Sequence, residues 1–475
     1  MSDQPLHYWT LTEVSAAIAA RTVSAVEVTT EVLNRIAQIN PQLGAFYTVF
    51  TESALAEARA ADLEIAAGRP RGALHGIPVA LKDLIDFGPT TAGSALRRDH
   101  QAVAHGALVE RLRSEGAVIV GKLATHEFGL STQTFADAFA PARNPWDPER
   151  TPGGSSTGAG VALAAGLVFG AYGTDSGGSV RLPAANCSIV GLKPTFGLIG
   201  RSGIVPLSWS LDHAGPMART VGDARLLLDA VRGPDPGDPG SASTPSAPTL
   251  ERQEVTGIRV GVPRGFWEPG CNAEVAAAFE RSLALLASLG AEVREVDLGV
   301  SLKQAVATGY LVALAEAATL HASDVRRRAG LYGREFRQLM RAGMLIPASA
   351  YINAQRARAE IARRVARVFD GSDGLGGDVL GCDVMAMPTL GALPDRIPEQ
   401  PRRIDLRIST APAPAYTWLA NLYGGPAISI PAGFSTGGLP IGLQLLGRSF
   451  EDSLVLALAE AHEAAAGFLD RHPAI

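Results

Sequence analysis

Sulfur chemistry is almost absent from this 475-residue chain, which has only three cysteines, Cys187, Cys271 and Cys382. They are scattered, odd in number and form no CxxC pair, which excludes a disulfide framework and a structural zinc site as organising features. An excess of one charge is lacking too. With 42 basic and 47 acidic residues the formal charge is −5, so neither nucleic acid nor an anionic membrane is expected as a partner. The run Arg326-Arg327-Arg328 sits in an Ala- and Leu-rich helical stretch and reads as a solvated helix face. Long apolar runs are missing: the longest, Val161 to Tyr172, is broken by Gly166 and Gly170 and is too short to span a bilayer. The first twenty residues show no basic segment followed by an apolar one, so no secretory signal is expected and the expected location is a reducing cytoplasm.

What is present is ordinary globular material, 47% apolar and 19% charged. Apolar residues at three- and four-residue steps predict helices over Leu11–Ala20, Ala25–Ile39 and Glu52–Ala66. Then the rhythm changes. Ile77 to Leu81 is an apolar run of strand length ending in Lys82-Asp83; a helix over Leu108–Glu115 precedes the strand-like Ala117–Val120. Such alternation implies an α/β layered fold. Residues 233–248 have almost no apolar content and read as an exposed connection. Residues 301–370 read as mostly helical, with Tyr310, Tyr332 and Tyr351 as candidates to cap a pocket, although filling the core is the favoured reading for them. Ala427–Phe434 and Pro440–Gly447, joined by Ser-Thr-Gly-Gly, predict a hairpin, and Leu454–Ala465 a closing helix.

Three segments carry possible chemistry. A lysine at the end of an apolar strand, as at Lys82, can be stripped of water until its neutral amine serves as a base. Lys122, after Val118–Gly121, stands in the same local context, so the pattern alone does not choose between them. The second segment, Pro152 to Gly160, is rich in Gly and Ser and leads into a helix. It lacks the lysine of a phosphate-binding loop and the last glycine of a dinucleotide fingerprint, and both readings fail. In the third, Gly173 to Pro183, Ser179 follows two glycines at the end of an apolar run, as a nucleophile on a sharp turn would. The N–H groups of Ser176, Gly177, Gly178 and Ser179 could converge there as an oxyanion hole. No Gly-x-Ser-x-Gly elbow marks a Ser-His-Asp enzyme.

Together these segments resemble the amidase signature family of hydrolases. The matching stretches are Gly76–Asp83, Pro152–Ser156 and Gly173–Gly197. Asn144–Asp147, Pro206–Arg219 and Gly425–Gly447 add to them, leaving only residues 230–255 and about 300–375 without family landmarks. The resemblance implies a large mixed central β-sheet covered by helices on both faces, in a single domain spanning 1–475. It implies Ser179 as nucleophile, Ser155 as a bridging serine after a cis peptide bond, and Lys82 as base, with the two serines 24 residues apart as in the family. Ser156, Asp175 and Arg181 fall on its supporting positions. Thr157-Gly158-Ala159 departs from the family's usual small residues, which touches the shape of the pocket rather than the reacting groups. Phe128, Gly129, Ser131 and Trp209 are candidate substrate contacts, with core packing the rival role for the first three.

The function this implies is hydrolysis of small-molecule amides through an acyl-enzyme, with esters, anilides and carbamates (urethanes) within its range, by a monomer or homodimer. No metal or organic cofactor is implied. A second reading is the glutamine-hydrolysing component of an aminoacyl-tRNA amidotransferase complex, its A chain; the segment Pro206–His213 looks more like the free-standing amidases. A third, a non-catalytic binding module keeping only the fold, predicts loss of a reacting group, and Lys82, Ser155 and Ser179 are all present.

Overall fold

In the computed structural model, residues 4–243, 255–371, 381–399 and 416–475 are described. The predicted helices form as α1 (Leu11–Ala19), α2 (Ala25–Leu43) and α3 (Thr51–Ala66). The first two begin with reciprocal caps, Thr10 with Glu13 and Ser24 with Glu27, which satisfy N–H groups that a helix start leaves free. Between α2 and α3 the chain makes a strand that periodicity did not predict, β1 (Phe46–Val49).

Among the described residues, eleven strands build one sheet. After β1 come β2 (Pro78–Lys82), β3 (Val118–Leu123), β4 (Gly170–Asp175), β5 (Val190–Lys193) and β6 (His213–Ala218). The remainder are β7 (Arg259–Val262), β8 (Glu292–Glu295), β9 (Val384–Pro388) and the predicted hairpin, β10 (Ala427–Phe434) with β11 (Pro440–Gly447). Their order is β1-β3-β2-β4-β6-β5-β10-β11-β9-β7-β8, so one sheet draws strands from both sides of the 233–248 stretch. Strands β3, β2 and β4 run parallel, as do β9, β7 and β8, and the other pairs are antiparallel. Every residue of β2, β3, β4, β5 and β6 is buried. Successive side chains point to opposite faces, so unbroken burial means that both faces are covered. The edge strand β8, Glu-Val-Arg-Glu, is half exposed and charged, which discourages further pairing.

Helices supply the cover: α4 (Ala107–Ser114), α5 (Thr157–Ala164), α6 (Arg181–Cys187), α7 (Val221–Val231), the short α8 (Arg264–Trp267) and α9 (Ala273–Ser288). Of three more, α10 (Leu302–Arg327), α11 (Arg334–Gly343) and α12 (Ala348–Asp370), the first packs on the other two, and α10 and α12 pack on α13 (Trp418–Tyr423). The last is α14 (Asp452–Ala466). Helix α10 is long and apolar enough to cross a membrane by length and composition, but most of that stretch is buried inside the fold. It bounds a second apolar cluster, separate from the main core, that includes Leu84, Phe128, Leu207, Ala317, Tyr332 and Phe336.

The described part of the predicted exposed connection is exposed at Pro234, Pro236, Gly237, Pro239 and Ser243 but is anchored to the fold at two carboxylates. Asp235 and Asp238 are buried there. Asp238 takes two 2.8 Å hydrogen bonds from Arg201, and Asp235 accepts the Ser202 hydroxyl at 2.6 Å. Composition measures apolar burial and misses a loop anchored by carboxylates. Residues 244–248 lie outside the described residues.

Candidate active site

Strands β2 and β4 are parallel neighbours, with Leu81 beside Tyr172, so the chain leaves both at the same edge of the sheet. Lys82 closes one strand and Thr174-Asp175 the other. At that edge Lys82 Nζ donates to Ser155 Oγ at 2.7 Å and to Thr174 Oγ1 at 2.9 Å. The lysine is fully buried and makes no ion pair among the described residues. Burial pushes its amine down to about 7, against the opposing pull of the Asp175 and Asp212 carboxylates.

Ser155 follows a cis peptide bond from Gly154, and its carbonyl accepts the His126 N–H at 3.2 Å. The next residue ties the two serine segments together. Ser156 N–H donates to the carbonyl of Ser179 at 3.2 Å, and its hydroxyl to the carbonyl of Thr174 at 3.3 Å. A side chain at Gly173 would come within 2.6 Å of that hydroxyl, so glycine is what lets the strand and the serine loop approach. Ser179 itself is partly exposed on the turn that enters α6.

A buried ion pair shapes that turn. Asp175 accepts N–H groups from Gly178 at 2.7 Å and Val180 at 3.2 Å, and Arg181 grips it from two nitrogens at 3.0 and 2.8 Å. The other Arg181 donors go to Thr417 O, Gln444 and Asn421, so all five are used. Burial pushes the Asp175 carboxyl up, but Arg181 and Asn421 outweigh it and hold it well below the usual range. The Gly178 N–H, one of the four predicted oxyanion donors, is therefore committed to Asp175. Over the turn lies Trp418, whose indole leaves no room for a side chain at Gly177, while Thr417 Oγ1 donates to the Gly177 carbonyl at 2.6 Å.

The candidate substrate contacts divide. Gly129 borders Ser155: a side chain there would come 3.6 Å from Ser155 Oγ and 3.2 Å from Leu84. Phe128 is 3% exposed and packs edge-on or tilted among His321, Phe336 and Tyr332, with ring centroids 4.4, 5.3 and 5.9 Å away. Ser131 is partly buried at a positive φ of 69°. Trp209, 46% exposed, stands on a cavity of about 200 Å³ whose walls include Leu84, Thr174, Ser176, Leu207 and Asp212. Sequence pattern gives Thr174 and Asp212 no role at the site. Asp212 accepts the Ser176 hydroxyl at 2.5 Å and the N–H groups of Leu207 and Ser208 at 2.9 Å, and burial pushes its carboxyl up to about 6.

Residues 27–456 match the family model described as Amidase. This chain belongs to the amidase family. The amidase is 38% identical to the A chain of the glutamyl-tRNA(Gln) amidotransferase of Anaeromyxobacter sp. (strain K), over 98% of this chain and 97% of that one. Its fold matches, with a TM-score of 0.87 and 30% identity, a solved chain from a vestigial protein complex tied to the origins of an s-triazine catabolic enzyme, covering 96% and 99% of the two chains. It also matches a bacterial aryl acylamidase of the amidase signature family, with a TM-score of 0.86 and 26% identity over 98% and 99%. The amidase is an enzyme that hydrolyses carbon–nitrogen bonds.

Proposed function

We propose that the amidase cleaves its substrate by a Ser179–Ser155–Lys82 relay. The observation that carries this reading is the 2.7 Å contact between a fully buried lysine, with its amine near 7, and the Ser155 hydroxyl. Neutral Lys82 takes the Ser155 proton as Ser155 takes that of Ser179, whose oxygen attacks the amide carbonyl. The oxyanion is held by N–H groups of Ser176, Gly177 and Ser179, Gly178 being spent on Asp175. As the intermediate collapses, the relay returns a proton to the leaving nitrogen, and water then attacks the acyl-enzyme with the same relay as base. Asp175, Arg181 and Ser156 hold the turn and touch no substrate.

For the substrate, the apolar wall of Leu84 and Leu207 beside Ser155 favours a small amide with an apolar acyl or aryl group, and the aryl acylamidase likeness agrees. A second reading has its own support. The amidotransferase relative, matched at 38% identity over nearly the full length, weighs toward glutamine hydrolysis within a complex, and more heavily than the free-amidase look of Pro206–His213 weighs against it.

Both readings are tested on the purified chain with p-nitroanilides, esters, carbamates and glutamine, beside Ser179→Ala. Turnover of anilides or carbamates without partners supports the free amidase. Ammonia release from glutamine alone, or activity appearing only with partner proteins, supports the second reading. Full activity in Ser179→Ala overturns the relay itself.

A further inference from the structure

Glu316 lies within α10 and is 1% exposed, yet its carboxylate makes no ion pair among the described residues. It is held by hydrogen bonds instead. One oxygen accepts the Ser208 hydroxyl at 2.6 Å and the Ser210 N–H at 3.2 Å. The other accepts the Ser210 hydroxyl at 2.7 Å, the Tyr351 hydroxyl at 2.9 Å and Gln355 at 3.4 Å. The serines belong to the loop between Pro206 and Asp212, and Tyr351 and Gln355 belong to α12. Arg358 of α12 adds a 2.7 Å bond to the Ser210 carbonyl.

Ser208 is shared between two carboxylates. Its hydroxyl goes to Glu316 and its N–H to Asp212, which in turn holds the Ser176 hydroxyl. A continuous polar chain thus runs from α12 through Glu316, Ser208 and Asp212 to Ser176, at the head of the turn that carries Ser179. The two residues flanking Ser208, Leu207 and Trp209, line the cavity. A core at this place would be satisfied by apolar packing alone. A buried carboxylate costs desolvation, and it is held here only because its acceptors are filled.

We propose that Glu316 is a positioning residue: it sets Leu207 and Trp209 as the wall met by the substrate and, through Ser208 and Asp212, orients Ser176. This rests on the proposed serine relay. Displacing a reacting group by about 1 Å costs on the order of 100-fold in rate, so loosening the chain is felt in both binding and reaction.

The test uses an alkyl fluorophosphonate on the intact protein, with KI and kinact measured separately and the labelled residue mapped. If the wild type is not labelled at Ser179, the relay reading fails, whatever Glu316 does. With Ser179 labelled, Glu316→Ala is expected to raise KI and lower kinact, each about tenfold. Glu316→Gln restores most of both, because an amide oxygen still accepts from Ser208 and its nitrogen can donate to a hydroxyl. Asp212→Asn, at the inner end, lowers kinact more than it raises KI. Constants within twofold of wild type in Glu316→Ala overturn the proposal, as does a loss confined to the amplitude of labelling, which reports only misfolded protein. Should Glu316→Ala not fold, Ser208→Ala cuts the same link, and unchanged constants there overturn it equally.

Discussion

Lys82 and Lys122 end or nearly end adjacent parallel strands, follow similar apolar runs, and are both completely buried. They differ in what their amines meet. Lys82 faces two hydroxyls, Ser155 and Thr174, and has no carboxylate within ion-pair reach among the described residues. Lys122 faces the carbonyl of Ile85 at 2.5 Å, the hydroxyl of Thr90 at 2.8 Å and the Asp83 carboxylate at 3.5 Å. Burial lowers both amines, Lys82 to about 7 and Lys122 to about 8. The depressed amine is therefore no signature of a base by itself. A proton can leave Lys122 only by abandoning a buried carboxylate, whereas Lys82 sits against a hydroxyl that can hand a proton on.

The contrast breaks most sharply on activity. Lys82→Ala should lose about 1000-fold in kcat/KM, the middle of the range for a general base, with the circular dichroism spectrum of the wild type. Lys122→Met should cost stability instead. Breaking a buried pair leaves Asp83 unpaired, worth about 3–5 kcal/mol, so the thermal midpoint falls by roughly 5 °C or more while activity per folded molecule stays near normal. If the two phenotypes were exchanged, the roles assigned to the two strands would be exchanged with them.

A pH profile sharpens the same comparison. The proposed relay needs neutral Lys82, so kcat/KM should rise with a midpoint near pH 7 and level off above it. For one group that loses activity on protonation, the rate at pH 5 is about 100-fold below the plateau. The midpoint should stay in place in Lys122→Met. A flat profile between pH 5 and 8 would remove Lys82 as the base.

This contrast also marks what was legible in the sequence. The serines and glycines of 152–156 and 173–183 were readable because each turn is written in adjacent residues. Choosing between the lysines was not possible from local pattern, since the partner that decides it, Ser155, lies 73 residues from Lys82. Asp212 and Thr174 escaped for the same reason, and Glu316 more so, its serine partner being 108 residues away. In the fold, β10 and β11 were legible from two apolar runs and a turn, but β1 is four residues between helices, too short to show a period. Strand β8 is polar and half exposed, and carries no apolar alternation to read. Phe128 reads equally as substrate wall or packing, and the structure places it in the second apolar cluster, with neighbours far off in sequence.

The smallest expected effect concerns stability. In the folded protein the Lys82 amine gives up its proton near pH 7, whereas in the unfolded chain it does so near about 10.4. Between those values the unfolded state binds more protons, so stability rises with pH across the window, and below about 7 a buried ammonium is a constant penalty. Lys82→Met removes that penalty and keeps the volume. It should therefore be slightly more stable than wild type at pH 6, by about 1 kcal/mol, and should show a shallower rise in stability toward pH 10. The rise does not vanish, because Lys193 and Lys122 are lowered by burial as well. Lys122→Met should be destabilised at both ends of the window. A Lys82→Met protein weaker than wild type at pH 6 in urea unfolding would mean that Lys82 is held as a structural cation, like its neighbour.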